Sequence, residues 1–227
     1  MIIAFTGQKG GIGKSTTAVC LAAAAMAKGL RVLLVDADPQ GTARTWGEVA
    51  GESGRPAPTI VAMGPTMHRQ GQLPDMASAY DLTIIDCPPR HGDIQRSALM
   101  VADVAVLPCG PTAVDAWALA GTLEVLAEAR TLRADLRACV LITRKQGRTA
   151  LGKGARAVLE TSGLGVLRTE LGYRIAYQEA VASGQGVTTY SPRDPAAREI
   201  VNLLEEIQRF HHGQEASPDF AAQTAVA

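Results

Sequence analysis

Several short stretches of this chain are apolar at nearly every position: Ile2–Thr6, Leu30–Asp36, Leu82–Asp86, Asp103–Leu107 and Ala138–Thr143. Runs of that length without polar alternation are strands covered on both faces. Thr59–Ala62 and Gly165–Leu167 add two shorter strand candidates. The segments between them carry apolar residues at helical spacing. Lys14–Lys28 reads as a helix stopped by Gly29, and a short helix runs through Trp46 to Val49. Thr66–Ala79 reads as a helix interrupted by Pro74, followed by Ile94–Val101, Thr112–Arg130, Ala150–Thr161 and Ile175–Ala182. Pro195–His211 is the last, with proline in its first turn. Gly51–Pro58 is a loop and not a linker, because strand pattern resumes at once.

Strand and helix patterns alternate throughout, which predicts an α/β fold: a doubly wound, mainly parallel sheet flanked by helices. Residues 1–212 are expected to form one domain, and the polar, aperiodic residues 213–227 a disordered tail. Ligands of such sheets bind at the carboxyl ends of the strands, so the loops after Thr6, Asp36, Asp86 and Leu107 should converge.

Composition narrows the class. With 47% hydrophobic and only 4% aromatic residues in 227, the core is built from Ala, Val and Leu and needs no staples. The four cysteines, Cys20, Cys87, Cys109 and Cys139, are far apart and have no metal-ligand spacing, as expected of buried thiols in a reducing cytoplasm. Residues 1–5 lack the basic flank of a signal peptide, and no apolar run is long enough to span a bilayer. The last helix holds Glu199, Glu205 and Glu206 and is no basic membrane-surface helix, so a membrane partner is not expected. Formal net charge is zero, yet between Arg130 and Arg198 basic residues outnumber acidic ones.

The chemistry concentrates in Gln8-Lys9-Gly10-Gly11-Ile12-Gly13-Lys14-Ser15-Thr16, between the first strand and the first helix. Glycines there let backbone N–H groups turn toward one point, and the helix N-terminus adds its partial positive charge. That context predicts a phosphate cradle, with Lys14 reaching the β- and γ-phosphates and the Ser15 hydroxyl ligating Mg²⁺. The strict P-loop spelling has glycine where Gln8 stands, so the loop is a variant with an extra lysine, Lys9, near its head. Lys9 could fold back on its own phosphates, reach a nucleotide held by a second subunit, or lie in solvent. Asp86 ends an apolar strand where a P-loop site anchors its metal. Of Asp36 and Asp38, one suits the Mg²⁺ shell and the other the orientation of an attacking water. Arg144, Lys145, Arg148, Lys153 and Arg156 cluster near one helix start, with Arg168, Arg174, Arg193 and Arg198 later. On one face they would hold phosphate backbones without reading sequence; otherwise they are a solvated surface.

Lys9–Thr16, then Val32–Gln40 (VLLVDADPQ), then Ile84–Pro89 (IIDCPP), resemble the ParA/MinD family of deviant Walker ATPases in order and spacing, and Tyr190-Ser191-Pro192 extends the likeness more weakly. The short length is similar to that of the small plasmid-partition members. The resemblance implies a P-loop NTPase fold, ATP and Mg²⁺ as ligands, slow switch-like hydrolysis, and an ATP-dependent homodimer. It implies that Lys9 crosses that dimer to the partner's nucleotide and that Lys14 holds the phosphates. Gly10, Gly11, Ile12, Gly13 and Ser15 complete the loop, and Thr16 assists at the α-phosphate. Asp38 matches the water-activating position, and Asp36 and Asp86 match metal-shell positions. Thr143, Arg144 and Pro192 match positions near the base. The implied partners are nonspecific DNA of the nucleoid, contacted by residues such as Arg144, Lys145, Arg148, Lys153, Arg156 and Arg174, and a ParB-like or cargo adaptor that stimulates hydrolysis. The implied cargo is a plasmid, a chromosome or a protein assembly. The alternative is a small-molecule synthetase of the same superfamily.

Overall fold

The computed structural model describes residues 1–146 and 156–214. Strands β1 (Ile2–Phe5), β2 (Val32–Asp36), β3 (Thr59–Ala62), β4 (Leu82–Asp86), β5 (Val104–Cys109), β6 (Arg137–Ile142) and β7 (Gly165–Val166) form one sheet in the order β3-β2-β4-β1-β5-β6-β7. Every pairing is parallel. Helices are α1 (Lys14–Ala27), α2 (Thr42–Glu52), α3 (Leu73–Ala77), α4 (Gly92–Leu99), α5 (Ala113–Leu132), α6 (Ile175–Ala182), α7 (Val187–Tyr190) and α8 (Pro195–His211). Residues 156–160 are also helical, which agrees with the last part of the expected 150–161 helix; its start lies outside the described residues.

The continuous apolar runs resolve into two interleaved faces. Ile3, Phe5, Val32, Leu34, Ile84, Val106 and Leu141 enter one core with α1, α6 and α8. Ala4, Leu33, Val35, Ile85, Leu107, Val140 and Ile142 enter the other, with Leu99 of α4 and Leu126 of α5. This is the period of two in a strand buried on both sides. Central β1 lies between β4 and β5, so its carboxyl end opens where the chain has wound both ways.

Two expectations change. The helix expected over 66–79 is a set of turns followed by the five residues of α3. Pro74 sits in the first turn of α3, so it starts that helix instead of interrupting one. The turn helix α7 carried no readable periodicity. All four cysteines are buried and free. Among the described residues no helix is long and apolar enough to cross a membrane.

Candidate nucleotide site

The loop from Gly7 to Gly13 leaves the end of β1 and feeds α1 directly. Gly13, the residue before α1, holds φ at 91°, a left-handed conformation that a side chain would strain. Its carbonyl accepts the Thr17 N–H at 2.9 Å and the Thr17 hydroxyl at 2.7 Å. Other loop carbonyls are also taken. Lys9 O accepts from Lys14 Nζ at 2.9 Å, Gly11 O from Arg144 Nη1 at 2.8 Å, and Ile12 O from the Thr143 hydroxyl at 2.8 Å. These donors hold the loop backbone from its carbonyl side, leaving its N–H groups to the cavity. Arg144 takes φ 54°, an uncommon value for a residue with a side chain, and its guanidinium lies 5.5 Å from the centroid of the Tyr173 ring. Replacing Thr143 with valine keeps the shape and strands the buried Ile12 carbonyl. Denaturant unfolding should show a loss of about 1–3 kcal/mol.

The loop bounds an open cavity of about 530 Å³. Gly10, Gly11, Gly13, Lys14, Ser15, Thr16, Thr17 and Asp38 line it, with Thr143 and Arg144 from the end of β6. Lys14 is buried, and burial lowers its pKa from the ordinary lysine value, opposed by the charge of Asp86. Asp36 and Asp86 are register partners at the ends of β2 and β4. Asp36 Oδ2 accepts the Arg44 N–H at 2.9 Å, while Asp36 Oδ1 and both oxygens of Asp86 have no hydrogen-bond partner. Burial pushes the Asp86 carboxyl up to about 7; Asp36 adds to the rise, and Ser15 and Lys14 pull it back. Orphaned carboxylate oxygens in a dry site beside a hydroxyl suit a hard cation. Among the described residues no group of three or more His, Cys, Asp or Glu converges, so such an ion would complete its shell with phosphate and water oxygens. Asp38 is half-buried, with one oxygen accepting the Gln40 N–H at 2.9 Å in a local turn.

Lys9 does not line this cavity. Its ammonium sits 2.6 Å from Asp115 Oδ1 on α5, with the Lys9 side chain 37% exposed and that of Asp115 11%. Asp115 also closes a capping box with Thr112, accepting the Thr112 N–H at 3.1 Å and returning its own N–H to Thr112 Oγ1 at 3.1 Å. Gly110 leaves room for that carboxylate, since a Cβ there would collide with it. Against the burial that would raise it, Lys9 and Thr112 hold the Asp115 carboxyl below its ordinary value. Gln8 occupies the departure from the strict motif by bonding sideways. Its N–H donates to Thr122 Oγ1 at 3.1 Å and its side chain to Gln95 Oε1 at 3.2 Å, while buried Gln95 donates to Pro88 O at 2.9 Å.

Pro192 is exposed after α7, and the cavity wall on that side is formed by Leu171, Gly172, Tyr173, Arg174, Tyr177 and Gln178. Among the described residues, several of the basic side chains expected to face DNA have partners within the chain. Lys145 and Arg156 both pair with Glu170, Arg174 pairs with Glu199 at 2.6 Å, and Arg144 is spent on Gly11 O. Arg148 and Lys153 lie outside the described residues. Sequence reasoning missed Asp115, Thr122, Gln95 and the two tyrosines. A polar residue on the inward face of a helix, as Gln95 is, was the one available signal.

A polyphosphate with its divalent cation meets the demands of this site together: it offers oxygens to the loop N–H groups and to Lys14, and a cation to Asp86. The protein is therefore of the P-loop nucleotide-binding class. Within that class the chain belongs to the CobQ/CobB/MinD/ParA nucleotide binding domain family, which it matches over residues 3–187. It is 30% identical over 210 residues to maintenance of carboxysome distribution protein A of Halothiobacillus neapolitanus, covering 90% of this chain and 95% of that one. It is 32% identical over 234 residues to the chromosome-partitioning ATPase Soj of Thermus thermophilus, covering 90% and 94%. Among solved structures, cobyrinic acid a,c-diamide synthase of Mycobacterium smegmatis with bound ADP and magnesium shares the fold at TM-score 0.75 and 20% identity, covering 96% and 98%.

Proposed function

We propose that this chain is a ParA-type ATPase that works as a dimerising switch, closing two copies on ATP and reopening them on hydrolysis, to position a cargo on nucleoid DNA. The observation that carries the reading is the placement of Lys9: it belongs to the phosphate loop yet points out of its own cavity onto Asp115. A cation held outside its own site is available to the nucleotide of a second copy, where it acts as an arginine finger does.

In this reading Lys14 and the N–H groups of Gly10–Thr16 hold the triphosphate. Ser15, Asp36 and Asp86 hold Mg²⁺, which neutralises charge on the phosphates. Asp38 orients the attacking water. Arg144, Tyr173 and Tyr177 flank the base and ribose. Exposed Arg168, Arg193 and Arg198 are open to DNA phosphates. The cargo follows from the relatives, whose names specify carboxysome distribution and chromosome partitioning. An adaptor on that cargo stimulates hydrolysis and releases the dimer.

The test is retention on nonspecific DNA with ATP, ADP and no nucleotide across a salt series. ATP-only retention that falls steeply with salt is expected. Equal retention in all three states, or turnover that requires an added metabolite, sinks the reading. Asp38→Ala should bind Mg–ATP normally, hydrolyse it at least about a hundredfold more slowly, and accumulate as dimer. Full turnover by that variant would remove Asp38 from the water-orienting role.

A further inference from the structure

Glu199 of α8 is an acid to which the nucleotide reading gives no task. Its side chain is 17% exposed, and four donors converge on it. Oε1 accepts from Arg174 Nε at 2.9 Å and from Arg174 Nη2 at 2.6 Å. Oε2 accepts the Gly172 N–H at 3.0 Å and the Tyr177 hydroxyl at 2.9 Å. Gly172, Arg174 and Tyr177 all line the cavity. The Tyr177 hydroxyl also reaches Ala196 O at 3.2 Å, so it is turned toward α8. Burial, and then Glu199, raise this phenol above its ordinary value, which keeps it a donor. Two turns along the same face of α8, Glu206 accepts the Arg168 and Thr169 N–H groups at 2.6 and 2.8 Å. The end of β6 holds the wall from its other side: Leu171 O accepts the Lys145 N–H and Lys145 O the Tyr173 N–H, both at 3.0 Å.

Topology says which part of a nucleotide meets this wall. The phosphate loop follows β1, in the middle of the sheet. Asp36, Asp38 and Asp86 lie at the ends of β2 and β4 on one side of it. Thr143 and Arg144, with Leu171–Gln178 beside them, follow β6 on the other side. A triphosphate with its cation toward the carboxylates therefore turns its nucleoside toward the β6 side. We infer that Glu199 is a positioning residue of this site: through Arg174, Tyr177 and the Gly172 N–H it sets the wall on which the nucleoside packs. The inference rests on the nucleotide reading above and adds to it a carboxylate that no motif marks. A wall locked in advance leaves less freedom to lose when the nucleoside docks. Glutamine at this position keeps the shape, but its NH₂ faces a donor and the charge that grips Arg174 is gone.

The experiment compares Mg–ATP with magnesium tripolyphosphate, a triphosphate chain without a nucleoside, on the full chain. Both are read by displacement of a fluorescent ATP analogue, itself titrated first on each variant, and thermal melts check each fold. Glu199→Gln should lower the affinity for ATP by about tenfold or more and leave that for tripolyphosphate within about twofold. A loosened fold lowers both together, so equal losses overturn the positioning role, as does an unchanged ATP affinity. Should Glu199→Gln not fold, Tyr177→Phe decides: it takes one donor from Glu199, keeps the ring in the wall, and must show the same split in smaller measure. No split in that variant overturns the role too. An unaltered protein that binds no ATP, or from which tripolyphosphate displaces nothing, ends the nucleotide reading itself and this inference with it.

Discussion

Replacing Lys14 with alanine should weaken nucleotide binding by about thirtyfold or more. Lys14 is the buried cation of the cavity, and its Nζ is turned over the loop to Lys9 O at 2.9 Å, within the ring of residues that would surround the phosphates. Losing one partner of a buried, hydrogen-bonded charge pair costs roughly 2–5 kcal/mol, from about thirtyfold to several-thousandfold in affinity. Titration with a fluorescent ATP analogue or calorimetry reads it. The fold should survive, because Lys14 is itself held down by desolvation and its one internal bond is a single hydrogen bond worth about 1 kcal/mol. Unchanged affinity in a folded variant would refute the cradle.

Asp86→Asn is expected to stabilise the nucleotide-free protein while destroying its response to magnesium. The Asp86 carboxyl is raised to about 7 from an ordinary 3.8, first by burial and then by Asp36. The folded state therefore binds the proton more tightly than the unfolded one. Stability is highest below pH 3.8 with respect to this group, falls as pH rises through the interval up to 7, and stays low above it. At pH 8 the ionised carboxylate costs on the order of 4 kcal/mol, an upper figure set by the shift. Asparagine removes the charge, and its amide can serve Asp36 Oδ1, which lacks a partner at the neighbouring strand end. Thermal melts at pH 8 should rise on the order of 10 °C in the variant, and the gain should shrink as pH falls toward 4. In the unaltered protein Mg–ATP should supply that missing stabilisation; in the variant magnesium should add nothing beyond ATP. A melting temperature independent of pH in the unaltered protein would contradict this account.

Much of the architecture was legible in the sequence because it is written in local signals. The runs at Leu33–Val35 and Ile84–Ile85 have no polar interruption, and their shortness and branched residues mark strands covered on both faces, as the two cores show. The loop is legible because glycine, lysine and hydroxyl chemistry must be contiguous to cradle phosphate. Asp36 and Asp86 each close such a run, and so their convergence follows from the parallel register. What was not legible depends on contacts between distant segments. Asp115 lies 106 residues from Lys9, and nothing in its helix marks it beyond a capping position. Gln95 reads as an ordinary helical residue until its neighbours are known. The pairing of the basic segment was not legible either, because counting charge does not show partners: Glu170 engages both Lys145 and Arg156.

The donors that grip the carbonyls of Lys9, Gly11, Ile12 and Gly13 have a thermodynamic corollary. The ordering entropy of the glycine loop was spent when the protein folded, so it is not charged again at each round of nucleotide exchange. A loop held in this way would meet the α- and β-phosphates that a di- and a triphosphate share. In the proposed dimer, telling triphosphate from diphosphate would fall to the γ-phosphate end, beside Asp38 and the second copy.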